Sequence, residues 1–80
     1  GEEFLVFLSR VDPGALGRIG EKIRKSISDL SCDRLTVTVS IGISHGHVGR
    51  DVEKSIRELI KTADEKLLTA KASGRNRIVF

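Results

Sequence analysis

Two pairs of charged residues, at opposite ends of an 80-residue chain, have the types and spacing that fit chemistry. Glu2 and Glu3 are adjacent carboxylates directly after Gly1. Neighbouring strand side chains point to opposite faces, so both carboxylates address one spot only if a turn reorients one of them. Gly1 can supply that turn. Hard oxygen donors of this kind suit Mg²⁺, which keeps several waters and is shared with substrate phosphates. The same two residues also describe a solvated acidic turn at the start of a strand. Lys71 and Arg75 stand four positions apart around the end of a helical pattern. Two cations converging there could hold a polyphosphate, Arg as a planar fork and Lys as a point charge. The competing reading is complementation of the helix dipole, a contribution of about 0.3–1 kcal/mol. Residue types alone leave both open.

Other reactive residues offer less. His45 and His47 bracket Gly46, but no further His or Cys stands at a spacing that would complete a tetrahedral metal site, so they read as surface-loop histidines. Cys32 is the only cysteine, which excludes an internal disulfide, and it reads as a small buried hydrophobe. One cysteine and no signal peptide fit a reducing, cytoplasmic setting. No apolar run approaches the roughly 20 residues that span a bilayer, so no direct membrane contact is expected. The net charge of +3 suits phosphate ligands and ordinary soluble domains alike. Three Phe, with no Tyr or Trp, argue against a stacking platform for nucleic acid.

Five elements would have to position these residues. Residues 3–8 (EFLVFL) form an unbroken apolar run, the pattern of a strand covered on both faces. Asp12-Pro13 is a helix start: Asp caps free N–H groups and Pro is tolerated at the first helical position. Leu16, Ile19, Ile23, Ile27 and Leu30 then recur at helical spacing along one face. Residues 35–44 (LTVTVSIGIS) alternate, with Val37, Val39, Ile41 and Ile43 on one side and Thr36, Thr38, Ser40 and Gly42 on the other. Gly42 on the small-residue side predicts a close backbone approach. Asp51 can cap a second helix, whose stripe is Val52, Ile56, Leu59, Ile60, Ala63, Leu67 and Ala70. Gly74 fits the left-handed position just past its end. Residues 77–80 (RIVF) read as a final strand. The order is β-α-β-α-β, an α+β fold in which helices pack on a small sheet as an α/β sandwich.

Size limits how self-sufficient such a chain can be. A compact globule of this mass buries about 8,000 Å² on folding, worth roughly 120 kcal/mol if ~60% of it is apolar. Ordering its residues costs about the same, at ~1.5 kcal/mol each. The balance is near zero, so the chain must close neatly on itself or gain a partner.

Three segments, read together, resemble the GGDEF (diguanylate cyclase) family. Gly1-Glu2-Glu3-Phe4 is similar to the last four letters of its signature in the Glu form. Val37-Thr38-Val39-Ser40-Ile41-Gly42 is similar to its V-T-V-S-I-G strand. Ala63-Asp64, Ala70-Lys71 and Gly74-Arg75-Asn76 resemble its closing A-D…A-K-x-x-G-R-N pattern. Gly20-Glu21-Lys22-Ile23-Arg24 is similar to its A-E-x-I-R helix, with Gly in place of Ala, and Leu68 stands where the family usually has Tyr. Each match alone is weak, but all occur in order and near the family's spacing.

The resemblance implies that residues 1–80 are one partial domain without a linker, the second half of a palm-like GGDEF domain. It implies a nucleotidyltransferase that condenses two GTP into cyclic di-GMP and releases pyrophosphate, for bacterial second-messenger signalling. On it, Glu2 and Glu3 are metal ligands for Mg²⁺ (Mn²⁺ as a substitute), and Glu2 helps activate the attacking 3′-hydroxyl. Gly1 leaves room for the nucleotide, and Lys71 and Arg75 contact its phosphates. Asp64 is given a structural role. The resemblance further implies a homodimer, an upstream sensor domain, a parent protein that can be membrane-anchored elsewhere, and a first half carrying a metal-binding Asp, the guanine-reading residues and an inhibitory product site. The 80 residues alone are therefore expected to be inactive. The alternative is a degenerate GGDEF module that binds GTP or a protein partner without catalysis.

Overall fold

Asp12 starts the first helix as its type and position predict. In the computed structural model, which describes the backbone of residues 3–32 and 35–80 and the side chains of residues 3–30 and 37–80, its Oδ1 accepts from Gly14 N–H at 2.9 Å. With Pro13 in the first turn, this launches α1, Pro13–Ser28. The chain then forms β1 (Ser31–Cys32), β2 (Leu35–Thr36) and β3 (Ile41–Gly42) before the long α2 (Val52–Ala72) and a closing β4 (Ile78–Val79). Asp51 caps α2, its Oδ1 accepting from Lys54 N–H at 3.0 Å. β1 and β2 pair antiparallel, Ser31 opposite Thr36 and Cys32 opposite Leu35. β3 and β4 pair in parallel, Ile41 opposite Ile78 and Gly42 opposite Val79. Parallel neighbours need a crossover, and α2 is that crossover. The α+β class holds.

Strand alternation sorts the small parallel sheet into two faces. A Cβ added at Gly20 of α1 would lie 2.7 Å from Ile43 Cδ1 and 3.6 Å from Ile78 Cγ2. One at Gly17 would lie 3.0 Å from the Phe80 ring. Thus α1 packs on the side bearing Ile43, Ile78 and Phe80. Gly42 faces the other way: a Cβ there would sit 2.1 Å from the Ala63 carbonyl oxygen and 2.4 Å from Leu67 N, both backbone atoms of α2. The close approach predicted from the small-residue side of this strand is met at Gly42, and only glycine fits. Ser44 Oγ donates to the Leu59 carbonyl at 2.6 Å, adding a second tie between this segment and α2.

Two parts of the sequence-based expectation need correction. Residues 3–8 form no strand; their apolar side chains are exposed, Phe4 to 85%. A strand exists only where a neighbour completes its ladder, and no described residue supplies one. The 35–44 run is not one strand but contributes β2 to one sheet and β3 to another, with residues 37–40 between them. Its alternation is real, but β4 is two residues long, so the paired length is set by the partner. The expected burial of Cys32 concerns a side chain outside the described residues.

The core is thin. Among the described residues only Gly20 and Ala70 are buried, while Ile23 and Leu30 on the predicted inner stripe of α1 are exposed. The radius of gyration is 13.8 Å, against about 12 Å for a compact domain of this length. The exposed surface is 6,667 Å², whereas a compact monomer of this mass shows about 4,800 Å². The excess on this one chain is more than twice the roughly 800 Å² that each partner contributes to a standard protein interface.

Candidate functional site

The C-terminal end of α2 is closed by a defined set of backbone hydrogen bonds. The helix is capped at Ser73, and Gly74 follows at φ 121°. Arg75 N–H then bonds back to the Ala70 carbonyl at 3.0 Å, and Gly74 N–H to that of Lys71 at 3.5 Å. These are the two reversed bonds that satisfy orphan carbonyls at a helix end, and they need a left-handed residue between them. Gly74 also makes room: a Cβ there would lie 2.7 Å from Arg77 Nη2. Arg75 and Asn76 continue with positive φ of 62° and 45°. The chain then turns into β4, with the Arg77 carbonyl accepting from Ile41 N–H at 2.9 Å.

This end of the helix gathers several of the residues singled out for chemistry. Lys71 is in the last turn of α2, and its Nζ donates to Glu3 Oε1 at 3.4 Å across 68 residues of sequence. The side chains are 33% and 63% exposed. A loose, solvated pair of this kind contributes at most about 1 kcal/mol to folding. Its meaning is placement, since it brings the start of the sequence to the end of α2. Arg75 is exposed on the turn four residues further on. Gly1 and Glu2 lie outside the described residues. A carboxylate oxygen and an ammonium therefore share this corner, beside the backbone that carries a guanidinium.

Elsewhere the expectations meet plainer surroundings. His45 and His47 are exposed in the loop before α2. Among the described residues no three His, Cys, Asp or Glu side chains are grouped to hold a metal. Asp64 is exposed on the outer side of α2, and Leu68, the family's usual Tyr, is 58% exposed. No helix among the described residues is long and apolar enough to cross a membrane.

Residue reading missed one constellation. On α1 the Arg24 guanidinium clasps the Glu21 carboxylate, Nε donating to Oε2 at 2.9 Å and Oε1 at 3.0 Å, with Nη2 also on Oε1. Its remaining arm reaches the turn after α2, where Nη1 donates to Asn76 Oδ1 at 2.8 Å. The hydrogen bond from Arg24 holds the Glu21 carboxyl below the usual carboxylate range. The signal in the sequence was Glu and Arg three apart on a helix, together with Asn, which tolerates the left-handed region, after Gly-Arg. Nothing in the sequence shows that the two meet.

Comparison with known proteins finds a family match over nearly the whole chain. Residues 1–77 match the family model for "Diguanylate cyclase, GGDEF domain". The chain is 37% identical over 84 residues to Diguanylate cyclase A of Treponema denticola, covering 100% of this chain and 22% of that protein. It is 41% identical over 80 residues to Diguanylate cyclase DgcM of Escherichia coli K12, covering 99% of this chain and 18% of that one. It is 38% identical over 85 residues to the response regulator PleD of Caulobacter vibrioides, again covering 99% and 18%. The chain thus spans about a fifth of the length of these relatives. No solved structure matches it. With a match over nearly its whole length, and with the family's closing motif folded as the turn that ends α2, the chain belongs to the GGDEF family of diguanylate cyclases.

Proposed function

We propose that this chain is the second half of a cyclase domain that condenses two GTP into cyclic di-GMP, with the phosphates held at the C-terminal end of α2. The observation that carries this reading is the Glu3–Lys71 pair, which places the signature segment beside the A-K-x-x-G-R-N turn. Lys71 supplies a point charge and Arg75 a fork, and both suit a triphosphate. Glu3 offers hard oxygen donors, one of them already facing a cation. One or two carboxylates completed by water and substrate phosphates are how Mg²⁺ is ordinarily held. The residues therefore fit the metal, and Glu3 with Glu2 would hold it. When bound, the ion would neutralise charge on the phosphates and align them.

The chemistry assigned to the chain's own residues follows the family resemblance, with Gly1 and Glu2 outside the described residues. Glu2 takes the proton of the 3′-hydroxyl as the oxygen attacks the α-phosphorus. A new P–O bond forms, the α–β bridge breaks, and pyrophosphate leaves with the bonding pair. Lys71 and Arg75 compensate the charge that grows on the leaving phosphates, while Gly1 leaves space for the nucleotide. Two domains facing each other repeat the step reciprocally, so most of the acceleration comes from positioning and charge. We assign the reaction to the cytoplasm, where GTP is available.

The surplus of exposed surface supports a second part of the proposal. These residues work packed against the rest of their domain and in a homodimer, under control of a sensor domain, and alone they have no turnover. In a full-length protein carrying this domain, GTP with Mg²⁺ should yield cyclic di-GMP and pyrophosphate, resolved by chromatography. Removing the Arg75 side chain should lower kcat/KM about a hundredfold, the scale of one charge-stabilising donor. A wild-type protein that binds GTP with Mg²⁺ yet forms no product would replace the cyclase reading with that of a binding module.

A further inference from the structure

Arg24 and Asn76 have no part in the reaction as proposed, yet they join α1 to the turn that carries Arg75. That turn is costly to hold. Gly74, Arg75 and Asn76 are three consecutive residues with positive φ, and two of them have side chains. Left-handed backbone at a residue with a Cβ disfavours itself by about 1–2 kcal/mol and persists only where its surroundings over-determine it. Here the constraints are visible. The reversed helix-end bonds fix Arg75 N–H on the Ala70 carbonyl. Arg77 Nε donates to the Arg75 carbonyl at 3.1 Å, holding the other side of the same residue. The next side chain, Asn76, is held by Arg24.

Arg24 is well suited to act as a brace. Its side chain is 20% exposed, low for an arginine on a helix surface. Glu21 occupies Nε and Nη2, which leaves Nη1 aimed at Asn76. A guanidinium is planar, so fixing one edge fixes the direction of the remaining donors. An Arg held only by Asn76 would swing; one held by Glu21 cannot. The bond to Asn76 therefore sets the turn against α1 and not only against its own helix.

We propose that Arg24, oriented by Glu21, is a positioning residue for the phosphate-binding turn: by holding Asn76 it fixes the Arg75 backbone, and with it the direction in which the Arg75 guanidinium meets a nucleoside triphosphate beside Lys71. This inference rests on the proposed function of that turn. It predicts that loss of the brace is felt at the outer phosphates of the nucleotide and not at its base or sugar.

The test compares binding of GMP and of 3′-deoxy-GTP, which lacks the attacking hydroxyl, to the full-length protein with Mg²⁺. The variants are Arg24→Ala and Asn76→Gly. Asn76→Gly removes the acceptor and relieves the left-handed strain at that position, two opposed effects, so the melting temperature should change little. Each variant should weaken the triphosphate about tenfold, or 1.4 kcal/mol, and GMP less than about twofold. The double variant should be no worse than either single one, as for two partners in one interaction. A purely structural role would weaken both nucleotides together in step with the folded fraction, and that result would overturn the inference. So would a wild-type preference for the triphosphate that survives both substitutions. Equal affinity of the wild-type protein for the two nucleotides would instead remove the phosphate site itself, and the proposed function with it.

Discussion

The two halves of the candidate site are built very differently. Around the end of α2, every turn residue finds a partner: Gly74 and Arg75 on helix carbonyls, Asn76 on Arg24, Arg77 in the parallel ladder. Residues 3–8, which lead from the signature, contain as strong an apolar run as any in the chain and yet lie exposed without a ladder. Propensity is not the difference. The turn is completed by residues close in sequence and by one arm from α1, whereas a strand needs a neighbour along its whole length. Where the partner lies within the described residues the local code is realised, and where it does not, apolar side chains remain outside.

The largest effect should come from the closed region. Gly42→Val would drive a side chain into the Ala63 carbonyl and Leu67 N of α2, backbone atoms that cannot rotate away. We expect a loss of about 3 kcal/mol or more in a denaturant titration. A smaller loss would mean that β3 and α2 are not as tightly joined as their geometry shows. Gly20→Ala tests a softer contact in the same region. The added methyl meets Ile43 Cδ1, the free end of a flexible side chain. Helix propensity gains about 1 kcal/mol over glycine, so the net change should stay within about 1 kcal/mol of zero.

The open region should respond weakly by itself. Phe4→Ser removes an exposed ring and should change the stability of the 80-residue chain by less than about 0.5 kcal/mol. The same substitution in the full-length protein should cost more if residues 3–8 are covered there. Equal effects in the two settings would end the idea that this segment waits for a partner.

The smallest effect is electrostatic. The hydrogen bond from Arg24, reinforced by its charge and that of Lys25, depresses the Glu21 carboxyl below its ordinary value of 4.5. A depressed folded-state value means that the stabilisation is fully present above 4.5 and is lost as pH falls through the lower value reached in the fold. The pair is solvated, so the contribution is small. Glu21→Gln should flatten the fall of melting temperature on acidification in that window and lower neutral-pH stability by the same small amount. An unchanged acid profile would show that the brace does not depend on the Glu21 charge.

Much of this could be read beforehand, for identifiable reasons. Asp12, Asp51 and Gly74 act within one helical turn, so their roles follow from local geometry and hold in the structure. Gly42 was legible because a glycine inside an alternating strand needs a neighbour that excludes a Cβ. Lys71 and Arg75 were legible by spacing on one helix end. The division of residues 35–44 between two sheets was not legible, because strand length is a property of the pair and not of the sequence alone. The Arg24–Asn76 contact was hidden for the same reason, since its partners are 52 residues apart.

By itself, then, the sequence determined the two helices with their caps, the glycine that closes α2, the family, and the residue types suited to a phosphate and a hard cation. Each of these depends on neighbours within a few positions or on a motif that survives as text. Only the tertiary structure decided that Glu3 meets Lys71, that Arg24 braces the turn bearing Arg75, and that residues 3–8 stay uncovered. Contacts between distant segments are fixed by which surfaces can be buried together, and chain order does not encode that.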